Sequence, residues 1–319
     1  MGTDGLSDLS VRAPGKAIVC GEYAVLDGAP AICVAVERYV VACAGSGVKS
    51  PFVESALRHA ARALATESLQ SVAVDSTPLY EATSKIGLGS SAAVTAAVVG
   101  LAFAAAGRSL DDKAQLFAIA DAAHAEAQGI VGSGIDVATS VYGGAIRFQR
   151  GTDVKIAPIA WPSALTLTFV FSGQSASTPD LVGRVRALRE RDATTYAARM
   201  GRLTELAKGF AAALERGDAM NAIAVAARWQ PALAALGQAA DAPIVTPFFE
   251  EVAAIAQAHG AAAKPSGAGG GDLGVILSLG DCTSALHGAL ARRNIHTLLL
   301  VPRGPARGLS LAHAPEHRR

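Results

Sequence analysis

Short β-branched segments alternate with alanine- and leucine-rich helical stretches along the whole of this 319-residue chain. That alternation admits only folds that pack helices and sheets in layers around shared cores. Strand patterns bounded by glycine, proline or polar turns occur at LSVRAPGKAIVCGE, PAICVAVERYVVACA, GGAIRFQR, LTLTFVFSG, GVILSL and HTLLLVPR. Helical patterns lie at FVESALRHAARALA, in the run from Ala92, at DDKAQLFAIADAAHAEAQ, through a long tract from Asp180 to Leu236, at PFFEEVAAIAQAHG and at CTSALHGALARR. The order is irregular and no repeat of roughly 20–50 residues recurs, so mixed α+β or α/β packing is predicted. At ~150 residues per domain the length predicts two domains. The two prolines of IAPIAWPSAL put the boundary near residue 160, giving units 1–160 and 161–319. No Ser/Gly linker separates them, so the halves are expected to share a cleft, where ligands bind.

Composition removes several classes of function. Half the chain (51%) is hydrophobic and 17% is charged, enough apolar surface for large cores and too much for disorder. The formal net charge is +1, without the basic excess of a protein that coats nucleic acid or an anionic membrane, so neither partner is expected. Cys20, Cys33, Cys43 and Cys282 are scattered, with no zinc spacing, and read as buried thiols in a reducing compartment. The N-terminal MGTDGLSDLS lacks the basic-then-apolar plan of a leader. The apolar run AAVTAAVVGLAFAAA from Ala92 is shorter than the ~20 residues that span a bilayer, so a buried helix is expected. A cytoplasmic protein acting on a small molecule, as a monomer or homodimer, is the expectation.

Glycine placement carries the functional signal. Only seven lysines occur (Lys16, Lys49, Lys85, Lys113, Lys155, Lys208, Lys264), and three of them stand in or beside glycine-rich segments. In IGLGSSAA, Gly87 and Gly89 allow close backbone approach to a ligand, and a helical pattern starts just after them. Free N–H groups and the helix dipole would then point into the loop, an arrangement that binds phosphate. Ser90 and Ser91 add hydroxyls that can cap the helix, touch phosphate or ligate Mg²⁺. A serine-capped helix after a glycine turn is the plainer alternative. There is no GxxxxGK[ST], and although GLGSSA matches a dinucleotide fingerprint, YEATSKI is a poor strand before it.

Lys16, in APGKAIVCGEYAVLDGAPA, reads either as a phosphate-reaching amine or as a snorkelling surface lysine. KPSGAGGGDLGVIL runs a glycine loop into a strand, for close backbone approach or as a mobile hairpin. HAEAQGIVGSGIDVATSVYGGAI offers Glu126, Ser133 and Asp136. Among these, Asp136 is a candidate active-site acid or a helix N-cap.

Taken in order, APGKAIVCGEYAVL, IGLGSSAA and KPSGAGGGDLG resemble the three motifs of the GHMP kinase family. Three features are similar to its phosphomevalonate kinases: Lys85 ahead of the loop, QGIVGSGIDVATSVYGG, and SGQSASTPDLVGRV. There are departures: the stretch between Leu26 and Ile86 is short, the proline common before the second motif is absent, and Leu273 stands where Cys is frequent. The resemblance implies an α+β, two-domain fold. Its N-terminal domain would be ribosomal-protein-S5-like with a left-handed βαβ unit, and its C-terminal domain ferredoxin-like.

The resemblance also implies ATP and Mg²⁺ as cofactors. Gly87, Leu88, Gly89, Ser90, Ser91 and Ala92 would hold the ATP phosphates, with Ser91 and Glu126 on the metal and Lys16 and Asp136 in catalysis. The acceptor would meet Lys16, Lys85, Ser133, Asp136, Ser175, Ser177 and Thr178, together with Gly267, Ala268 and Gly269. The expected reaction is γ-phosphate transfer from ATP to 5-phosphomevalonate. A mevalonate kinase or a kinase for another small hydroxy acid is the alternative. A dinucleotide-dependent oxidoreductase, a non-catalytic binding protein and a decarboxylase relative are the other readings weighed. A phosphate acceptor is already mostly dianionic at neutral pH and needs cations, whereas a hydroxyl gains about 10²–10⁴-fold from a carboxylate base. Lys85 favours the phosphate.

Overall fold

The structure is a computed structural model, and it describes residues 9–47, 49–66, 69, 71–81, 84–129, 132–301 and 305–312. The segment read above for a leader lies, up to residue 8, outside the described residues.

In chain order the strands are β1 (Ser10–Cys20), β2 (Ala31–Ala44), β3 (Val72–Asp75), β4 (Tyr80–Glu81), β5 (Ser84–Lys85), β6 (Ala145–Arg150), β7 (Val154–Ile159), β8 (Leu165–Phe171), β9 (Ala262–Pro265), β10 (Leu273–Leu279), β11 (Thr297–Leu298) and β12 (Ser310–Leu311). The helices are α1 (Pro51–Leu64), α2 (Ser90–Ala105), α3 (Lys113–Gln128), α4 (Ile135–Tyr142), α5 (Thr178–Arg191), α6 (Ala193–Glu215), α7 (Ala219–Ala240), α8 (Pro247–Ala258) and α9 (Thr283–Arg292).

One sheet runs β12-β1-β2-β6-β7, with β3 on the far half of β2, and the second runs β11-β8-β10-β9. All their pairings are antiparallel. The long β2 serves two partners: Ala31–Val34 face β6 and Val41–Ala44 face β3. The sheets divide between Ile159 and Leu165, but the chain's end returns to the first. Val11 pairs with Leu311, and the Ala306 N–H donates to Ala35 O at 3.0 Å. A cut at residue 160 therefore leaves the returning segment on the wrong side. Two residues of pairing are too short a signal to read from sequence.

The alanine-rich run from Ala92 forms the middle of the N-terminal core. Eleven of the sixteen residues of α2 are buried, because small side chains let it lie close to β1 and β2 while α1, α3 and α4 cover it. A helix apolar all round belongs inside a protein core. No helix among the described residues is long and apolar enough to cross a membrane.

In the second layer, alternate residues of β8 and β10 feed two cores. Phe169 and Val275 join the large core with Trp229 and Leu233, whereas Val170 and Ile276 pack with Val252, Leu286 and Leu290. The tract from Asp180 to Leu236 resolves into α5, α6 and α7, since aspartates restart the helix. Asp192 accepts from the Thr195 N–H and Asp218 from the Asn221 N–H, each at 3.0 Å. HTLLLVPR contributes only Thr297–Leu298 as strand, and its residues 302–303 lie outside the described residues. The strands β3 and β7 carried no clear pattern. β7 is an exposed edge containing Pro158, where alternation is not enforced.

The α2 packing is testable at Gly100, where an added Cβ would lie 3.0 Å from both Leu309 methyls and from Val11. Gly100→Leu is expected to cost about 1–3 kcal/mol through overpacking. A lowered urea midpoint with unchanged slope would register it.

Candidate active site

The glycine-rich segments meet around one cleft of about 450 Å³. The backbone N–H of Lys16 donates to Leu88 O at 2.9 Å, and the Ser140 hydroxyl donates to Pro14 O at 2.8 Å. The strand ladder slips between Pro14 and Lys16, an irregularity of the kind that re-aims a side chain. Lys16 Nζ donates to Gly87 O at 3.3 Å and lies 3.4 Å from Asp136 Oδ2. A Cβ on Gly89 would fall 2.8 Å from Lys16 Cε and 3.1 Å from its Cγ, so a larger residue there would push the lysine aside, and the φ of 70° favours glycine as well. Burial alone would lower the Lys16 pKa, yet Asp136, with smaller pulls from Cys33 and Asp272, outweighs it and the amine is held above its ordinary value. It is charged at neutral pH.

The phosphate-loop candidate has the expected form. Gly87 and Gly89 take φ of 78° and 70°, and the first α2 bond runs from the Ala93 N–H to Gly89 O. That leaves the N–H groups of Ser90, Ser91 and Ala92 outside the helical ladder. The Ser91 hydroxyl lies 3.0 Å from His124 Nε2, and the His124 ring stacks on Phe52 at 5.3 Å. Burial lowers the His124 pKa against the pull of Asp136 and Asp121, so the ring is neutral at pH 7.

The third segment is fastened across the two layers. Lys264 Nζ donates to Glu22, and both side chains are 1% exposed. The Ser266 hydroxyl donates to Ile18 O at 2.9 Å and the Tyr23 hydroxyl to Ala268 O at 2.6 Å. Burial pushes the Glu22 carboxyl up against the opposing pull of Lys264. Farther along, Asp272 takes φ of 53° and stands against Gly87, whose absent Cβ would lie 3.0 Å from the Asp272 Cβ. Its Oδ1 is buried without a partner among the described residues. Burial raises its pKa, while the Ala176 amide and the charge of Lys16 pull the other way.

Of the residues singled out from sequence, the cleft gathers Lys16, Lys85, Gly87, Leu88, Gly89, Ser90, Ser91, Ser133, Asp136, Ser175, Ser177, Thr178, Gly267 and Ala268. The side chain of Ala92 is buried behind the loop, and Gly269 packs on Ile244. Glu126 is misplaced by the sequence reading. Its carboxylate faces α1, 2.5 Å from Arg58 and 2.7 Å from His59, which hold its pKa down to about 2. Asp121, His124, Ala125 and Gln128 are the α3 residues that line the cleft. Two residues on from His124 is a turn of about 200°, away from it. Helical phase was the signal that excludes Glu126.

Missed altogether were Asp272, His124, Glu22 and Arg186, all on the cleft. Among the described residues no group of three or more His, Cys, Asp or Glu converges to hold a metal. A Mg²⁺ ion is compatible with so sparse a set, since it keeps waters and takes ligands from substrate phosphates, and Ser91 and Asp136 line the cleft as oxygen donors.

Residues 52–144 match the family description "GHMP kinases N terminal domain". The chain is 31% identical over 296 residues to a mevalonate kinase of Aeropyrum pernix, covering 84% of itself and 87% of that protein. This chain belongs to the GHMP kinase family. It is also 29% identical, over an alignment of 371 residues, to a phosphomevalonate kinase of Streptomyces, covering 95% of itself and 99% of the relative. A solved Streptococcus pneumoniae phosphomevalonate kinase in complex with phosphomevalonate and AMPPNP superposes with a TM-score of 0.79. The identity is 21%, and 95% and 99% of the two chains are covered. The α+β, two-domain architecture is that of GHMP kinases, and the chain is a phosphotransferase.

The Glu22–Lys264 pair gives a stability test. Lys264→Met leaves a buried carboxylate uncompensated and is expected to cost about 3–5 kcal/mol. Combining it with Glu22→Leu should return much of that loss. Denaturant midpoints of the two single variants and the double measure the coupling.

Proposed function

We propose that this GHMP kinase transfers the γ-phosphate of ATP to 5-phosphomevalonate, giving 5-diphosphomevalonate and ADP in the mevalonate pathway of isoprenoid synthesis. The observation that carries the reading is Lys85. It lines the same cleft as Lys16 and the phosphate loop, bringing a second amine to a place where two phosphates must meet.

Phosphoryl transfer asks mainly for positioning and charge neutralisation. The N–H groups of Ser90, Ser91 and Ala92, at the α2 N-terminus, would receive the β- and γ-phosphates. The Ser91 hydroxyl would help hold a Mg²⁺ ion, which would supply further charge neutralisation when bound. Lys16, kept charged and oriented by Asp136, would stand beside the transferred group. Lys85 and the hydroxyls of Ser175, Ser177 and Thr178 would hold the acceptor phosphate, with Ser133, Gly267 and Ala268 along the rest of the acceptor. The Ser177 hydroxyl also caps α5, accepting from the Asp180 N–H at 3.4 Å. The acceptor's phosphate oxygen attacks the γ-phosphorus as ADP leaves. With a second pKa near 6 it needs no base. The N-terminal unit, to about residue 160 with the returning segment, would carry the nucleotide.

The second reading is mevalonate as acceptor, favoured by the 31% identity to a mevalonate kinase. Asp136 would then be a general base rather than an orienting group for Lys16.

Coupled assay of ADP release with Mg-ATP decides between them. Turnover of 5-phosphomevalonate but not mevalonate is expected, and the reverse would overturn the assignment. Lys85→Ala should lower kcat/KM for phosphomevalonate by about 10²-fold, the value of one charge-assisted contact to phosphate. Asp136→Asn should cost less than the about 10²–10⁴-fold that loss of a base entails.

A further inference from the structure

We infer that Arg186 reads a carboxylate on the acceptor, at the end remote from the reacting phosphate, in a basic annex of the cleft. The inference rests on the acceptor reading above. A second cavity of about 260 Å³ adjoins the cleft and shares Tyr23, Ser133 and Arg186 with it.

Three guanidinium groups, of Arg150, Arg186 and Arg189, line this annex. Two are committed. Arg150 binds Asp121 and Ser133 O, each at 2.6 Å, and Arg189 lies over the Tyr196 ring at 5.7 Å. Tyr196 in turn donates its hydroxyl to Asp27 at 2.8 Å, which engages the carboxylate that lines the annex. Arg186 is in no ion pair among the described residues, although Glu190 stands one turn farther along α5. A guanidinium that passes over an acid four residues on and lines two joined cavities is a free, forked donor. Its geometry matches a carboxylate.

Charge points the same way. With Asp121 offsetting Arg150, the guanidinium groups of Arg186 and Arg189 face one carboxylate, Asp27, so the annex stays positive and draws anions. Val25, Leu26 and Val182, common to both cavities, give an apolar wall for a short aliphatic chain. An acceptor whose phosphate lies between Lys16 and Lys85 would run along that wall and present its far end to Arg186. For a short phosphorylated hydroxy acid, that end is the carboxylate.

The test compares 5-phosphomevalonate with its C1 primary amide, which keeps the shape and removes the charge. Binding of each is measured by isothermal titration calorimetry on the full chain and on Arg186→Gln and Arg186→Lys. The wild type should bind the acid about 10- to 100-fold tighter than the amide, the range of a charge-assisted hydrogen bond. Arg186→Gln should bind both at the amide's affinity with ATP affinity unchanged, and Arg186→Lys should recover part of the difference. Equal affinity for acid and amide in the wild type would overturn the inference, as would discrimination that survives in Arg186→Gln. A wild type that binds neither compound overturns it together with the acceptor assignment. Arginine-dependent discrimination without turnover would uphold the inference and overturn the kinase reaction assigned to this acceptor.

Discussion

The cleft depends on a buried ion pair. Lys264, at the end of β9, and Glu22, just after β1, are both removed from water, and each is tolerable there only because the other is present. Such a pair contributes little net stability, but its geometry is demanding, so it fixes how the second sheet sits against the first. The Ser266 and Tyr23 hydroxyls add two more ties across the same seam. With Lys264 held, the glycine-rich turn that follows must pass beside the phosphate loop, which brings Asp272 onto Gly87. The third motif thus reaches the cleft through a buried contact in the cleft's own wall.

Charge in the cleft is arranged in layers. Lys16 is buried and kept protonated by Asp136, whereas Lys85 is exposed at the rim. An amine with a fixed carboxylate partner suits a group that must stay in place, and a solvated one suits capture of an arriving anion. Asp272 feels the charge of both, its carboxyl raised by burial and its buried Oδ1 without a partner among the described residues. His124 is kept neutral, so the Ser91 hydroxyl beside it faces a ring that can donate or accept but adds no charge.

Much of this was legible in the chain itself. IGLGSSAA announced its loop and helix because glycine and serine chemistry is local, and Lys16 and Asp136, which meet in the cleft, stood out because each lies within such a segment. The alanine-rich run was placed in a core correctly because length alone separates it from a membrane span. What escaped depended on contacts distant in sequence. Asp272 matters through Gly87, and Glu22 through Lys264, and no spacing rule connects those pairs. β12 joins β1 after nearly the whole chain has intervened. Arg186 looked like one arginine among several on an exposed helix until α5 was seen against two cavities.

Glu126 marks a different kind of error, since the information needed was present. The residues α3 turns toward the cleft follow helical spacing from Asp121 through His124 and Ala125 to Gln128, and Glu126 falls off that face. The acid on that face is Asp121, and Arg150 already holds it at 2.6 Å. The α3 helix therefore presents no unpaired carboxylate to Ser91. A cation entering this cleft would find the Ser91 hydroxyl, Asp136 shared with Lys16, Asp272, and whatever oxygens its nucleotide brings.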